Sequence, residues 1–196
     1  MRIILATWNE SKKRWLSEGL SSLNIPVITL EEYENGNIQD VEETGEACEA
    51  NALLKAQAIS GDGRSIIVGE DSGLFIEALD GFPGVKTARW MEGTDDNRAD
   101  EILRKMSSCH NRSAYFQSAL AAVLPDGEHM IVEAKLHGKI ANEKRGSNAS
   151  GYSRIFGLPH GQTIAEMKPE EFEQKDHRRT AIGKLKMKLT DKVNFF

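Results

Sequence analysis

Several short stretches carry residue types and spacings that could do chemistry. In Ile66-Ile67-Val68-Gly69-Glu70-Asp71-Ser72-Gly73, an apolar β-branched run is followed at once by two carboxylates, a hydroxyl and a glycine. The apolar part reads as a buried strand, and the acidic pair sits where that strand leaves the core. In an open α/β sheet, ligands bind just beyond the carboxyl ends of strands. Two acids beside apolar packing are costly unless compensated, and a divalent cation would compensate them. A polar turn that happens to hold Asp and Ser explains the same residues without any site.

Near the amino terminus, Thr7, Asn9 and Lys12 follow the apolar run Ile3-Ile4-Leu5-Ala6. A hydroxyl, an amide and an ammonium at a strand-to-helix turn suit a phosphate, and the helix start adds orphan N–H groups and a positive dipole. An ordinary cap with Asn9 at its centre and a solvated Lys12 is the alternative. Glu42 and Glu43 precede Thr44-Gly45 and the next helix. They are either first-turn acids favoured by that helix dipole, or one of them faces Asp71 and completes a Mg²⁺ site of two carboxylates. Lys55 and Arg89 are each solvated or drawn to the same phosphates. Asp176-His177-Arg178-Arg179 offers groups for a base edge or a phosphate, or is a basic surface turn. Tyr152 offers a ring for stacking on a base, or is a core tyrosine. No Ser-His-Asp or Cys-His arrangement is present, and Cys48 reads as helix packing.

These residues must be positioned by a mixed set of elements. Strands are expected at Arg2–Ala6, Pro26–Leu30 and Ile66–Gly69, with Leu74–Leu79 as a further strand beyond the acidic turn. Helices are expected over Lys13–Leu23, over the stretch after Thr44-Gly45-Glu46, over Asn97–Met106 and over Arg178–Leu189. The second of these places Ala47, Ala50, Leu53, Leu54 and Ala58 on one apolar face. Glu31–Glu43 reads as an acidic loop with Asn35-Gly36 as its breaker. Ala114–Leu124 and Met130–Ile140 form a hairpin around Pro125-Asp126-Gly127-Glu128. Strands alternating with helices and then a hairpin predict a mixed α/β sheet. No G-x-G-x-x-G follows the first strand and no P-loop lysine signature occurs, which disfavours the dinucleotide-binding folds.

With 196 residues, the chain suits one domain, or one domain with a small second lobe. The formal net charge of -5 argues against coating a nucleic acid backbone. Two cysteines, Cys48 and Cys109, make neither a disulfide framework nor a metal knuckle. No stretch approaches the ~20 apolar residues of a membrane span, and the first apolar run is too short for a secretory signal. A cytoplasmic protein that binds neither membrane nor nucleic acid is therefore expected.

The motifs taken together resemble the inosine triphosphate pyrophosphatase family, which removes non-canonical purine nucleoside triphosphates. The resemblance rests on Thr7-x-Asn9-x-x-Lys12, Val41-Glu42-Glu43-Thr44-Gly45, Asn51-Ala52-Leu53-Leu54-Lys55-Ala56 and Glu70-Asp71-Ser72-Gly73-Leu74. Gly81-Phe82-Pro83-Gly84-Val85, Arg145-Gly146, Gly151-Tyr152 and His177-Arg178 follow in the family's order. It implies a two-lobed α/β fold with a long central mixed sheet flanked by helices, residues 1–196 forming one pyrophosphatase domain, an active site in the cleft between lobes, and a homodimer. It implies cleavage between the α- and β-phosphates of a nucleoside triphosphate, with Mg²⁺ as cofactor. Carried over by position, Asp71 is the general base and a metal ligand, and Glu42 is a metal-side carboxylate. Thr7, Asn9, Lys12, Ser72 and Lys55 hold the triphosphate. Trp8, Gly151 and Tyr152 complete the substrate-binding set, and His177 and Arg178 face the base.

The departures from the family pattern gather at one end. Ser150 stands where the family stacks an aromatic ring, Ser153 where it has a carboxylate, Phe172 where it has a lysine and Asp176 where it has a serine. Trp15 and Ala50 replace common glutamates in supporting helices. The phosphate-side residues all stand. Retained hydrolysis with altered base selectivity is expected. The other readings are a dedicated pyrophosphatase for a modified or pathway-specific nucleotide, and a catalytically weak nucleotide-binding regulator.

Overall fold

The structure, a computed structural model, describes residues 1–34 and 41–193. The predicted Asn35-Gly36 breaker lies outside them. The strands are β1 (Arg2–Leu5), β2 (Val27–Thr29), β3 (Ser65–Ile76), β4 (Pro83–Gly84), β5 (Ser113–Val123), β6 (His129–Ile140) and β7 (Phe156–Gly157). The α-helices are α1 (Glu10–Leu20), α2 (Leu30–Glu34), α3 (Cys48–Gln57), α4 (Asp95–Lys105), α5 (Pro169–Glu173) and α6 (His177–Val193). The strands form one sheet in the order β2-β1-β3-β5-β6-β7, with β4 paired to β3. β1 runs parallel to both β2 and β3, whereas β4 and β7 pair antiparallel. The fold is thus the mixed α/β sheet flanked by helices that the sequence predicts. Among the described residues, no helix is long and apolar enough to cross a membrane.

The chain divides into two compact units. The first comprises Met1–Asp71, Ser118–Ala134 and the segment from Arg178 onward. β1 and the first half of β3 are buried on both faces, as central parallel strands require. Ile3, Leu5, Ile66 and Val68 point to one side, into a cluster with Leu16 and Leu20 of α1 and Ala181, Ile182, Leu185 and Leu189 of α6. Ile4, Ala6 and Ile67 point to the other, against Leu30, Ala56 and Ile59. The two-residue period of the strand thus sorts neighbouring side chains onto opposite helical layers. The second unit, Ser72–Gln117 and Lys135–His177, packs Leu74 and Ile76 against Ala99 and Ile102 of α4 and Met106 at its end, together with Tyr152, Ile155 and Phe156.

Three expectations are corrected. First, the acidic pair is not in a turn: β3 runs unbroken for 12 residues through Glu70 and Asp71, joining the two predicted strands. Second, Glu31 does not begin a loop. Leu30–Glu34 is a short helix, with Leu30 buried and the Glu32 carboxylate accepting from Thr29 N at 2.7 Å. Lys13, bridging Glu10 and Glu31, ties that acidic stretch to α1. Third, α3 turns a different face inward. Cys48, Asn51, Ala52, Lys55 and Ala56 are buried, while Ala47, Ala50 and Ala58 are exposed. An apolar-period argument misses this, because two of the buried residues are polar and spaced by four.

Candidate active site

The chemistry-bearing residues of the first unit converge around Glu70 and Asp71. Successive strand residues face opposite ways, so the two acids meet different partners. Glu70 follows Val68 to the α1 face. It is fully buried, accepts a hydrogen bond from Ser118 Oγ at 3.1 Å, and pairs with Lys12 Nζ at 2.7 Å. Asp71 follows Ile67 to the α3 face. Its Oδ2 accepts from Asn51 Nδ2 at 3.2 Å, and its Oδ1 lies 3.4 Å from Lys55 Nζ. Lys55 also donates to the Glu70 carbonyl at 3.1 Å and pairs with Glu43.

Two local features make this geometry. The first is Gly69, between Val68 and Glu70. A Cβ there would sit 2.9 Å from Ala56 N and closer still to the Ala52 carbonyl oxygen. The bare backbone lets α3 lie directly on the strand, which is what brings Asn51 and Lys55 to Asp71. The second is Asn51, one helical turn before Lys55 and therefore on the same face. Its Oδ1 accepts from Gly45 N at 2.7 Å and its Nδ2 donates to Gly45 O at 3.2 Å. The same amide thus fixes the Glu43 segment and Asp71 together.

Burial pushes the Asp71 carboxyl above its ordinary value, and the nearby Glu43 adds to this against the pull of Lys55, Lys12 and Asn51. Burial also pulls Lys12 down, but Glu70, with Asp71 and Glu43 beyond it, more than offsets that and leaves its pKa raised. Lys12 is therefore a fixed cation and Asp71 a carboxylate with enhanced affinity for a proton. Burial beside Asp71, Glu49 and Glu70 pushes the Cys48 thiol up, so it remains a neutral packing group.

The Lys12–Glu70 pair has a testable consequence. Removing one member of a buried ion pair leaves an uncompensated charge. Lys12→Met should lower unfolding free energy by about 3–5 kcal/mol in urea titrations. The double variant Lys12→Met/Glu70→Gln should regain most of that loss, because the stranded charge goes too. A double variant no more stable than Lys12→Met would refute the account.

The other predicted residues fall as follows. Asn9 caps α1, its Oδ1 accepting from Lys12 N at 3.0 Å, and its own N–H donates to Thr7 Oγ1 at 3.2 Å. Trp8 packs partly on the core, with Lys13 Nζ 5.7 Å from its ring centroid. Ser72, on β3, and Arg178, in the first turn of α6, are half-buried. Glu42 is exposed, and it is Glu43 that reaches Lys55. Adjacent residues in an irregular segment point apart, and nothing in Glu42-Glu43-Thr44 marks which one faces inward.

Gly151, Tyr152 and His177, of the second unit, are buried. Tyr152 is buried in the core; its hydroxyl accepts from Trp90 Nε1 at 2.8 Å and donates to the Thr87 carbonyl at 2.9 Å. Burial raises its pKa to about 12. Gly151 has φ +60, and a Cβ there would overlap Asp95 at the start of α4. The His177 ring is buried, stacked on Phe116 with centroids 5.5 Å apart, and its Nδ1 lies 3.2 Å from Asp176 Oδ1.

The site's charge suits Mg²⁺. Glu43, Glu70 and Asp71 outnumber Lys12 and Lys55, and Glu43 and Asp71 are hard oxygen donors on a shared lysine. Among the described residues, no group of three His, Cys, Asp or Glu side chains forms a metal cluster. Mg²⁺ does not require one, since it typically binds one or two carboxylates and completes its shell with phosphate and water.

A mixed α/β fold with a buried acid–lysine centre and a phosphate-type helix start defines a class, and the comparisons identify it. The Ham1 family profile matches residues 3–188, and the chain belongs to that family, the inosine triphosphate pyrophosphatases that its motifs resemble. It is 36% identical over 185 residues to a dITP/XTP pyrophosphatase of Symbiobacterium thermophilum, covering 93% of this chain and 92% of the relative. A non-canonical purine NTP pyrophosphatase homolog of Halalkalibacterium halodurans is 39% identical over 184 residues, with 92% of each chain covered. The solved structure of the Staphylococcus aureus Ham1 protein superposes with a TM-score of 0.88 at 31% identity, covering 98% of this chain and 100% of that one.

Proposed function

We propose that this chain is a Mg²⁺-dependent nucleoside triphosphate pyrophosphohydrolase, releasing a monophosphate and pyrophosphate, with residues 1–196 acting as one catalytic domain. The observation that carries the reading is Asp71, a buried carboxylate with raised proton affinity, held by Asn51 and Lys55 beside Glu43. Such a group can orient a water and accept its proton as the oxygen attacks the α-phosphate. Phosphoryl transfer otherwise needs position and charge neutralisation more than covalent help. Lys12 and Lys55 neutralise the triphosphate, and the start of α1 offers its backbone N–H groups to the same anion. Thr7, Trp8, Asn9 and Ser72 would complete the substrate-binding set. Asp71 and Glu43 would hold Mg²⁺, which when bound neutralises phosphate charge and polarises a phosphoryl oxygen. His177, buried against Phe116, and Arg178, in the first turn of α6, are the residues assigned to the base.

The names of the relatives support triphosphates of inosine and xanthosine type as the first substrates to try. The direct test is pyrophosphate release from ITP, dITP and XTP with and without Mg²⁺; absence of release from every triphosphate would overturn the reading. The assignment of Glu43 over Glu42 gives a sharper result. Glu43→Gln should raise the Mg²⁺ concentration for half-maximal rate by about tenfold or more, the equivalent of about 1.4 kcal/mol. Glu42→Gln should leave it unchanged, and the reverse pattern would sink the assignment. A cytoplasmic homodimer belongs to the same proposal, and sedimentation of the purified protein reads the subunit count.

A further inference from the structure

Ser118 is a hydroxyl at the end of an apolar layer. It lies on β5, the strand next to β3, and shares a face with Leu120 and Ala122. That face meets Ile66 and Val68 of β3 and packs on α1 and α6. Glu70 follows Val68 along it, and Glu70 and Ser118 are both fully buried. A buried carboxylate must be met by donors or cations. Here each oxygen meets its own: Oε1 accepts from Ser118 Oγ at 3.1 Å, and Oε2 lies 2.7 Å from Lys12 Nζ. The Lys12 side chain is 22% exposed, so the link runs from a closed layer to the surface of the first turn of α1.

A lysine ammonium is a point charge on a flexible four-carbon stem, so its position is set by what it is tied to. A carboxylate held at both oxygens is a fixed anchor, whereas one held at a single oxygen can turn about its last bond. Ser118 supplies the inner point of attachment. Without the hydroxyl, Oε1 loses its donor in an apolar layer, at the full desolvation cost of that atom. The carboxylate relieves this by rotating to present both oxygens to Lys12. The ammonium is then drawn inward, away from the anion assigned to the start of α1.

Resting on the proposed pyrophosphohydrolase reading, we infer that Ser118 is a positioning residue, which through Glu70 sets how far the Lys12 ammonium stands toward the triphosphate. The test is calorimetric titration of the full chain with inorganic tripolyphosphate, which needs no turnover. Ser118→Ala should raise Kd by about tenfold, the scale of one hydrogen bond to a charged group. Ser118→Cys, of similar size but with a weak donor, should fall between serine and alanine. It carries the comparison if the alanine variant does not fold, and a purely space-filling role would leave it level with serine. In the Lys12→Met/Glu70→Gln background the ammonium and its anchor are both gone. There, Ser118→Ala should change Kd by no more than about twofold, because the two effects run through one link. Equal losses from Ser118→Ala in the two backgrounds, no loss in either, or no tripolyphosphate binding by the wild type overturns the inference. With ITP and Mg²⁺, kcat/KM should follow the same order, serine above cysteine above alanine. Turnover indifferent to Ser118→Ala overturns the role of Ser118 and leaves α–β hydrolysis standing. Tripolyphosphate binding in the expected order without cleavage of any triphosphate keeps the link and overturns the hydrolase reading instead.

Discussion

Asp71→Asn is expected to reduce pyrophosphate release by about 100- to 10,000-fold, the range for loss of a positioned general base. It should at the same time make the protein more stable at neutral pH. The two effects share one cause. Asp71 is 3% exposed, and burial together with Glu43 raises its carboxyl pKa above the unfolded value. A carboxyl raised on folding is bound more tightly to its proton in the native state. Stability is then lost as pH rises from the unfolded pKa through the folded one, and the full cost persists above it. The amide keeps the Asn51 and Lys55 neighbourhood but removes the charge, leaving Lys12 and Lys55 balanced by Glu43 and Glu70. In EDTA at neutral pH, Tm should rise by about 2–4 °C for each kcal/mol recovered. The gap should close as pH falls below the unfolded carboxyl value, where the wild-type group is itself neutral. Activity retained in the variant would refute the base assignment, and a lower Tm at neutral pH would refute the electrostatic account.

Gly69→Ala should cripple the enzyme without touching any charged group. Its Cβ would collide with the α3 backbone at Ala52 and Ala56, neither of which can rotate away as a side chain could. The strand and helix must separate, at a cost of about 1–3 kcal/mol for overpacking. Asn51 and Lys55 ride on that helix, so both leave Asp71 together. A displacement of about 1 Å at a reacting group can cost on the order of 100-fold in rate. The expected signature is a drop in kcat far larger than the stability loss explains, measured below the variant's unfolding transition. Ala52→Gly leaves the obstructing carbonyl in place and should not rescue it. Wild-type turnover in Gly69→Ala would show that the close approach of α3 does not set the site.

Much of the fold is legible in the chain. The apolar runs in Arg2–Leu5 and Ser65–Val68, the Asn9 cap and the Pro125–Glu128 hairpin are local signals, and local physics satisfies them. The failures cluster at the candidate site. Carboxylates are poor strand interiors, so the sequence pattern breaks β3 at Glu70; in the fold Lys12, Ser118, Asn51 and Lys55 compensate the two acids, and none is close in sequence. The buried face of α3 carries Asn51 and Lys55, which an apolar period counts as exposed. Local rules are broken where function is expected to break them.

The sequence by itself determined the family, the class of fold and the set of acids and lysines available for phosphate chemistry, because those are written in residue type and order. The tertiary structure decided which of them meet. It paired Glu43 rather than Glu42 with Lys55, gave Asn51 its place between Gly45 and Asp71, and buried Tyr152 and His177. The physical reason is that partner choice across a sheet depends on which face a residue occupies and how closely the next layer approaches. At Gly69 that approach is set by the absence of a side chain, whose meaning appears only when the helix above it is in place.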